Sequence, residues 1–84
     1  MVREIRHDEF AQTLGFADFE SLLRASELVI GGRDIDWFVA ELPDGRWATW
    51  DDTLDLDRVA YFSTRENAVQ CQLGVARSVY GYQA

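Results

Sequence analysis

Side chains suited to catalysis or metal binding are scarce in this 84-residue sequence, which contains one histidine, His7, and one cysteine, Cys71. Zinc sites use about four ligands, commonly Cys and His, so one residue of each kind predicts no zinc site. A Cys–His nucleophilic pair would also need a group to stabilise the oxyanion, and no motif supplies one. We therefore predict a protein that is not an enzyme and holds no metal or cofactor.

Carboxylates are the chemically active groups that this chain has in excess. Four of them lie close together in one stretch, as Asp51, Asp52, Asp55 and Asp57. Clustered carboxylates bind hard cations, but the stretch lacks the turn glycine and trailing glutamate of an EF-hand loop. Because aspartate is poor in both helices and strands, we predict an exposed loop.

Two further aspartates, Asp34 and Asp36, precede the longest strand pattern of the chain. If the loop at residues 51–57 folds beside that point, six aspartates come together near one end of a sheet. Such a negative patch either contacts a partner or only aids solubility, and we predict a partner contact.

The charge balance indicates which partners suit that patch. The formal net charge is −7, with eight arginines and no lysine. The arginines are scattered among carboxylates, whereas binding to phosphates requires clustered basic residues, so no direct nucleic-acid binding is expected. A basic protein surface is the predicted partner, because complementary fields accelerate encounter.

These aspartates must be positioned by a β-hairpin over residues 37–50, which also carries all three tryptophans. Pro43, Asp44 and Gly45 form a turn signal in which Gly45 takes the positive φ of a type I turn with a G1 bulge. That geometry pairs Phe38 with Trp50. It also predicts the pairs Leu42–Arg46 and Ala40–Ala48, all on one core-facing side.

The other face of the hairpin holds Trp37, Val39, Glu41, Trp47 and Thr49. Two tryptophans and a valine beside one carboxylate form a mostly apolar surface, which is uncommon in an exposed position. Either a helix covers this face, or Trp37 and Trp47 bind a peptide or a second copy of the chain.

Two short helices are predicted before the hairpin. Asp8 is expected to cap the first helix and Gly15 to end it, and Asp18 is expected to cap a second helix over residues 18–26. Both helices are too short to be stable alone, so they must pack on the sheet.

Strands are predicted at residues 28–30 and 59–62, and a last helix begins after Ser63 or Thr64 and ends at Gly81. The apolar arc of this helix, expected to be core, comprises Ala68, Val69, Gln72, Leu73, Val75, Ala76, Val79 and Tyr80. The fold class is therefore α+β, a single domain over residues 1–84. A three- to four-stranded antiparallel sheet packs with two short N-terminal helices and one longer C-terminal helix.

The hairpin at residues 37–47, followed by Tyr61-Phe62-Ser63-Thr64 and a helix opening Glu66-Asn67-Ala68, resembles a small bacterial and phage module. It is similar to the AP2-like N-terminal domain of tyrosine integrases over about residues 37–80. Those modules bind DNA through basic residues of the sheet. In this chain Glu41 and Thr49 stand there with only Arg46 basic, so the DNA-binding role does not carry over.

The expected function is that of an acidic inhibitor or adaptor that engages a basic surface of a nucleic-acid-binding complex. In kind, though not by motif, the chain is similar to phage anti-CRISPR and other DNA-mimic proteins. The alternative is a structural or accessory domain that self-associates through the aromatic face. A single cysteine and no apolar stretch long enough for a membrane span predict a cytoplasmic protein with no membrane contact.

Overall fold

A computed structural model describes residues 2–80 of the chain. Four strands form one antiparallel sheet in the order β1-β2-β3-β4. They are β1 (Ser26–Gly31), β2 (Asp36–Glu41), β3 (Trp47–Asp51) and β4 (Ala60–Phe62). The helices are α1 (Val2–Thr13), α2 (Phe19–Arg24) and α3 (Arg65–Tyr80), with a single 3-10 turn at Leu56–Arg58. This architecture confirms the predicted α+β class, with four strands.

The β2–β3 hairpin has the predicted turn and register. Phe38 pairs with Trp50 and Ala40 with Ala48. Gly45 has a φ of +92° and donates its N–H to the carbonyl of Leu42 at 2.9 Å. These features are those of a type I turn with a G1 bulge, so the local turn chemistry sets which residues share a face of the sheet.

The first helix begins earlier than predicted and ends where predicted. Asp8 lies inside α1 and does not cap it; its carboxylate instead accepts from the backbone N–H of Phe19 at 2.9 Å, at the start of α2. At the other end, Gly15 has a φ of +99°. Phe16 N donates to Ala11 O at 3.0 Å, which completes a Schellman motif and turns the chain toward α2.

The second helix is capped by Asp18, as predicted, through a 2.9 Å hydrogen bond from Ser21 N. It ends at Arg24 and not at Ser26, because Ser26 already belongs to β1 and pairs with Ala40. Strand β1 therefore begins two residues before the predicted apolar run.

One face of the sheet packs against α1 and α2. The ring of Trp50 stacks on Phe38 at 4.4 Å between centroids and contacts Phe10 and Phe19 at 5.8 and 5.7 Å. Its indole N–H donates to Ser26 Oγ at 3.0 Å, so the ring is fixed in orientation as well as buried. The buried cluster here comprises Phe10, Ala11, Leu14, Leu22, Ala40, Leu42, Ala48, Trp50 and Leu54.

The opposite face is covered by α3, which contacts all four strands. Trp37 and Val39 have no exposed surface. The Gln72 amide is buried and donates to the carbonyls of Phe38 at 2.7 Å and Trp50 at 2.9 Å. Of the two interpretations that the sequence left open for this face, the helix cover is therefore correct.

The first turn of α3 is capped by Thr64, whose hydroxyl accepts from Asn67 N at 3.2 Å. Over residues 65–78 of the helix, the buried positions are Ala68, Gln72 and Ala76. The predicted core positions Val79 and Tyr80 lie outside the described side chains. Val75 is 36% exposed, so its assignment to the core was wrong. The predicted end at Gly81 lies outside the described residues.

Candidate functional site at the acidic end of the sheet

The six aspartates singled out in the sequence lie toward one end of the sheet, which we call the acidic end. It comprises Asp34, Asp36, Asp51, Asp52, Asp55 and Asp57. Asp36 pairs with Gly31, and Trp37 pairs with Asp51, so β2 starts beside the point where β3 finishes. Asp36 N donates to Asp52 Oδ1 at 3.3 Å, and Asp52 N donates back to Asp36 O at 3.3 Å. The expected juxtaposition of the two aspartate groups is therefore present.

Asp51 differs from its neighbours because it is only 4% exposed. Its Oδ2 accepts from Arg58 Nε at 2.8 Å, and its Oδ1 accepts from the N–H of Thr53 at 3.1 Å and from the Thr53 hydroxyl. The prediction of an exposed loop was wrong at this residue. Asp51 holds the connection together and offers no free carboxylate to a partner.

The connection between β3 and β4 contains a buried leucine, Leu54, which the prediction of an exposed loop did not anticipate. Leu54 is 7% exposed, belongs to the core cluster and has a φ of +59°. A left-handed backbone conformation costs a non-glycine residue roughly 1–2 kcal/mol, which burial of the side chain offsets. The available signal was the pair of leucines in an acidic loop, but only Leu54 is packed, since Leu56 is 48% exposed.

Four carboxylates of the acidic end are exposed, namely those of Asp34, Asp52, Asp55 and Asp57, and Asp36 is half-buried. None of these five forms an ion pair with a side chain that the structure describes. Of the nearby arginines, Arg58 pairs with Asp51 and Arg6 donates to Thr53 O at 2.9 Å. Arg33, next to Asp34 in the sequence, is exposed and forms no ion pair with a described side chain, so it offsets one of the negative charges. The acidic end therefore keeps most of its negative charge available to a partner.

Two of the exposed carboxylates are held by the backbone. Asp52 Oδ1 accepts from the N–H of Asp36, and Asp55 Oδ1 accepts from the N–H of Asp57 at 2.9 Å. Because these side chains are already oriented in the free protein, little conformational entropy would be lost when a partner binds them.

The two tryptophans proposed as a binding face lie at different ends of the sheet and in different surroundings. Trp37 pairs with Asp51 at the acidic end and is fully buried, with the guanidinium of Arg58 5.2 Å from its ring centroid. Trp47 pairs with Glu41 at the hairpin end and is half-buried. Burial leaves Trp37 no surface for a partner, so the two rings do not form one docking face.

The single cysteine, Cys71, and the single histidine, His7, lie on helices that pack on opposite faces of the sheet. His7, on α1, packs edge-on against the ring of Phe19 at 4.6 Å. Cys71 is a half-buried free thiol on α3, which covers the other face of the sheet. Over residues 2–80 no three His, Cys, Asp or Glu side chains come together as a group that could hold a metal ion.

Comparisons with protein-family models, with curated proteins and with solved structures find no match for this chain. The description of the fold therefore depends on this structure alone, and the resemblance to integrase-type modules stays a prediction. Within residues 2–80, no helix has the length and apolar character needed to span a membrane.

Proposed function

We propose that this chain is a non-enzymatic binding protein whose acidic end engages a basic surface of a nucleic-acid-binding partner, as an inhibitor or adaptor of the anti-CRISPR or DNA-mimic kind. The observation that carries the proposal is the set of exposed carboxylates at one end of the sheet without arginine partners. A reducing, cytoplasmic setting belongs to the proposal and is supported by the single cysteine.

The chemistry favours an arginine- or lysine-rich surface. Exposed carboxylates can occupy guanidinium and ammonium positions that otherwise contact phosphates. A formal net charge of −7 steers such a partner over long range, while the same charge repels nucleic acid itself. Each solvent-exposed ion pair contributes little to the binding free energy, so affinity depends on several carboxylates acting together.

A matched pair of variants tests where the binding charge resides. The first replaces Asp34, Asp52 and Asp57 with Asn, which keeps the hydrogen-bond acceptor that Asp52 offers to Asp36 N. The control replaces three exposed carboxylates elsewhere, Glu9, Glu20 and Glu66, with Gln. Both variants lose the same formal charge.

Binding of each variant to a nona-arginine peptide is measured at 50 and 200 mM NaCl. We expect the acidic-end variant to bind more weakly than the control and to show a flatter dependence on salt, because fewer counter-ions exchange at the site. Equal weakening of the two variants would show that only the overall charge matters, and the acidic end would then be rejected as a site.

A further inference from the structure

At the hairpin end of the sheet, opposite the acidic end, lies an open groove of about 530 Å³. Its apolar lining includes Phe16, Pro43 and the half-buried ring of Trp47. Its charged lining consists of Glu27, Glu41 and one arginine, Arg24, whose guanidinium pairs with Glu20 at 2.9 Å. The groove therefore joins an aromatic surface to carboxylates.

The two carboxylates are not equivalent. Glu27 is already neutralised by Arg65, which donates from Nε and Nη2 to its two oxygens at 2.8 Å each. Glu41 is exposed and forms no ion pair with any side chain that the structure describes. Because Glu41 and Trp47 are direct partners across β2 and β3, they stand side by side on the same face of the sheet.

Two arginines of this protein already lie between an aromatic ring and a carboxylate. The guanidinium of Arg46 lies 4.7 Å from the ring centroid of Tyr61 and pairs with Asp44 at 2.8 Å. The guanidinium of Arg58 lies 5.2 Å from the ring centroid of Trp37 and, as described above, pairs with a carboxylate. In each case one arginine contacts both an aromatic face and a carboxylate.

We propose that the Trp47–Glu41 groove binds an arginine side chain of a partner protein. The guanidinium would lie against the indole of Trp47 and donate to the carboxylate of Glu41, with its aliphatic stem along Pro43. Arginine fits better than lysine, because a planar guanidinium stacks on a ring and donates two parallel hydrogen bonds at once. The proposal does not depend on the acidic end.

The test uses the full chain and two synthetic peptides, Ac-Leu-Arg-Leu-NH₂ and the same peptide with citrulline, which keeps the shape of arginine without its charge. Binding is followed by the NMR signal of the Trp47 indole N–H, with the buried indoles of Trp37 and Trp50 as internal references. We expect a saturable shift at Trp47 with the arginine peptide and at least fivefold weaker binding of the citrulline peptide.

Substitutions locate the site. Glu41→Gln is expected to weaken the arginine peptide at least fivefold, whereas Glu9→Gln, an equal charge change on α1, leaves its affinity unchanged. Trp47→Leu removes the ring, so the indole signal that disappears is that of Trp47. This variant is expected not to bind the arginine peptide, which is measured by the NMR signal of the Glu41 backbone amide. Unchanged Trp37 and Trp50 indole signals show that each variant is folded.

Equal affinity for arginine and citrulline, an unaffected Glu41→Gln variant, or shifts confined to the acidic end would overturn the proposal. The variant with Asp34, Asp52 and Asp57 changed to Asn is expected to bind the arginine peptide at the groove with unchanged affinity. The acidic-end function and the groove can therefore fail independently of one another.

Discussion

Neighbouring aspartates at the acidic end have opposite roles, although their residue type and sequence surroundings are the same. The Asp51 carboxylate is buried and hydrogen-bonded to Arg58 and Thr53, whereas that of Asp52 is exposed and accepts a 3.3 Å hydrogen bond from Asp36 N. Strand alternation separates them, since Asp51 is the last residue of β3 and Asp52 follows it. Their common position at one end of the sheet was predicted correctly from the sequence, but the ion pair that holds the buried Asp51 comes from Arg58, seven residues away.

The first prediction follows from that contrast. Asp51→Asn leaves Arg58 without its charged acceptor and is expected to lower the free energy of unfolding by about 1–3 kcal/mol, the range for a hydrogen-bonded charge. Asp52→Asn keeps an acceptor for Asp36 N and is expected to change stability by less than about 0.5 kcal/mol. Urea denaturation of both variants measures the difference, and equal stabilities would contradict the structural role of Asp51.

A second prediction concerns two glycines, for which substitution by alanine should change the stability of the protein in opposite directions. Gly45 has a φ of +92°, and a Cβ added there would meet no atom within 4 Å, so Gly45→Ala adds backbone strain alone, about 1–2 kcal/mol. Gly74 lies in α3 with equally open surroundings, so Gly74→Ala should stabilise the helix by roughly 0.5–1 kcal/mol. Thermal melts that move in the same direction for both variants would refute this assignment of the hairpin turn.

At the scale of elements, the predictable parts were those decided by local chemistry. The Gly45 turn, the Gly15 helix end and the Asp18 cap each depend on a few consecutive residues, so the sequence was sufficient for them. Asp8 was misassigned because its hydrogen-bond acceptor role is tertiary: it reaches Phe19 N, eleven residues away. Val75 was misassigned because the apolar arc of α3 is wider than the strip that contacts the sheet.

The contact of α3 with the sheet depends on a polar residue, Gln72, which helical periodicity placed on the core-facing arc without indicating its hydrogen bonds. Gln72→Leu removes two hydrogen bonds to the carbonyls of Phe38 and Trp50 and is expected to cost about 1–3 kcal/mol, since buried acceptors lose a donor. Gln70→Leu, at an exposed position of the same helix, serves as the control and should stay within about 0.5 kcal/mol of the parent. A Gln72 variant as stable as the control would show that the amide contributes no net stabilisation.

Three carboxylates that lie where helices and strands meet or turn predict that the stability of the protein depends on pH. The pKa of Asp18 is lowered by the Ser21 backbone N–H, that of Asp44 by the Arg46 backbone N–H, and that of Glu27 by hydrogen bonds from Arg65. A group whose pKa is lowered in the folded state stabilises the protein at pH values above its ordinary pKa, which is 3.8 for Asp and 4.5 for Glu. That stabilisation is lost as the pH falls through the lower pKa of the folded state.

Urea denaturation between pH 6 and pH 2.5 measures that acid-side loss. A variant with Asp18→Asn, Glu27→Gln and Asp44→Asn should be less stable than the parent at pH 6 and should lose less stability on acidification. If the variant and the parent lose the same amount, the three carboxylates are not responsible for the acid sensitivity.

For the whole molecule, charge is distributed unevenly. Four ion pairs among the described side chains neutralise carboxylates on α2, at the hairpin turn, between β1 and α3 and at Asp51. The exposed aspartates of the acidic end have no such partners among those side chains. Composition alone predicted the sign and size of the net charge, but only the folded structure shows which carboxylates are neutralised, because three of the four pairs are not helical i,i+4 neighbours.

The final prediction concerns how salt changes stability. At 10 mM salt the screening length is about 30 Å, comparable with the 38 × 29 × 20 Å extents of the molecule, so carboxylates repel one another across most of it. At 1 M NaCl that length is about 3 Å and the repulsion is screened. Because the 15 carboxylates of the sequence outnumber its eight arginines, added NaCl should raise the melting temperature by several degrees.

The matched charge variants show where that repulsion is concentrated. Replacing Asp34, Asp52 and Asp57 with Asn removes three negative charges, so the formal net charge of −7 becomes −4. The Glu9, Glu20 and Glu66 variant has the same net charge. The acidic-end variant should melt higher than the control in 10 mM salt and gain less from added NaCl, because its three carboxylates have no ion-pair partner among the described side chains, whereas Glu20 of the control pairs with Arg24. Identical melting curves for the two variants would mean that the charge is spread evenly, and the acidic end would then have no special electrostatic character to offer a partner.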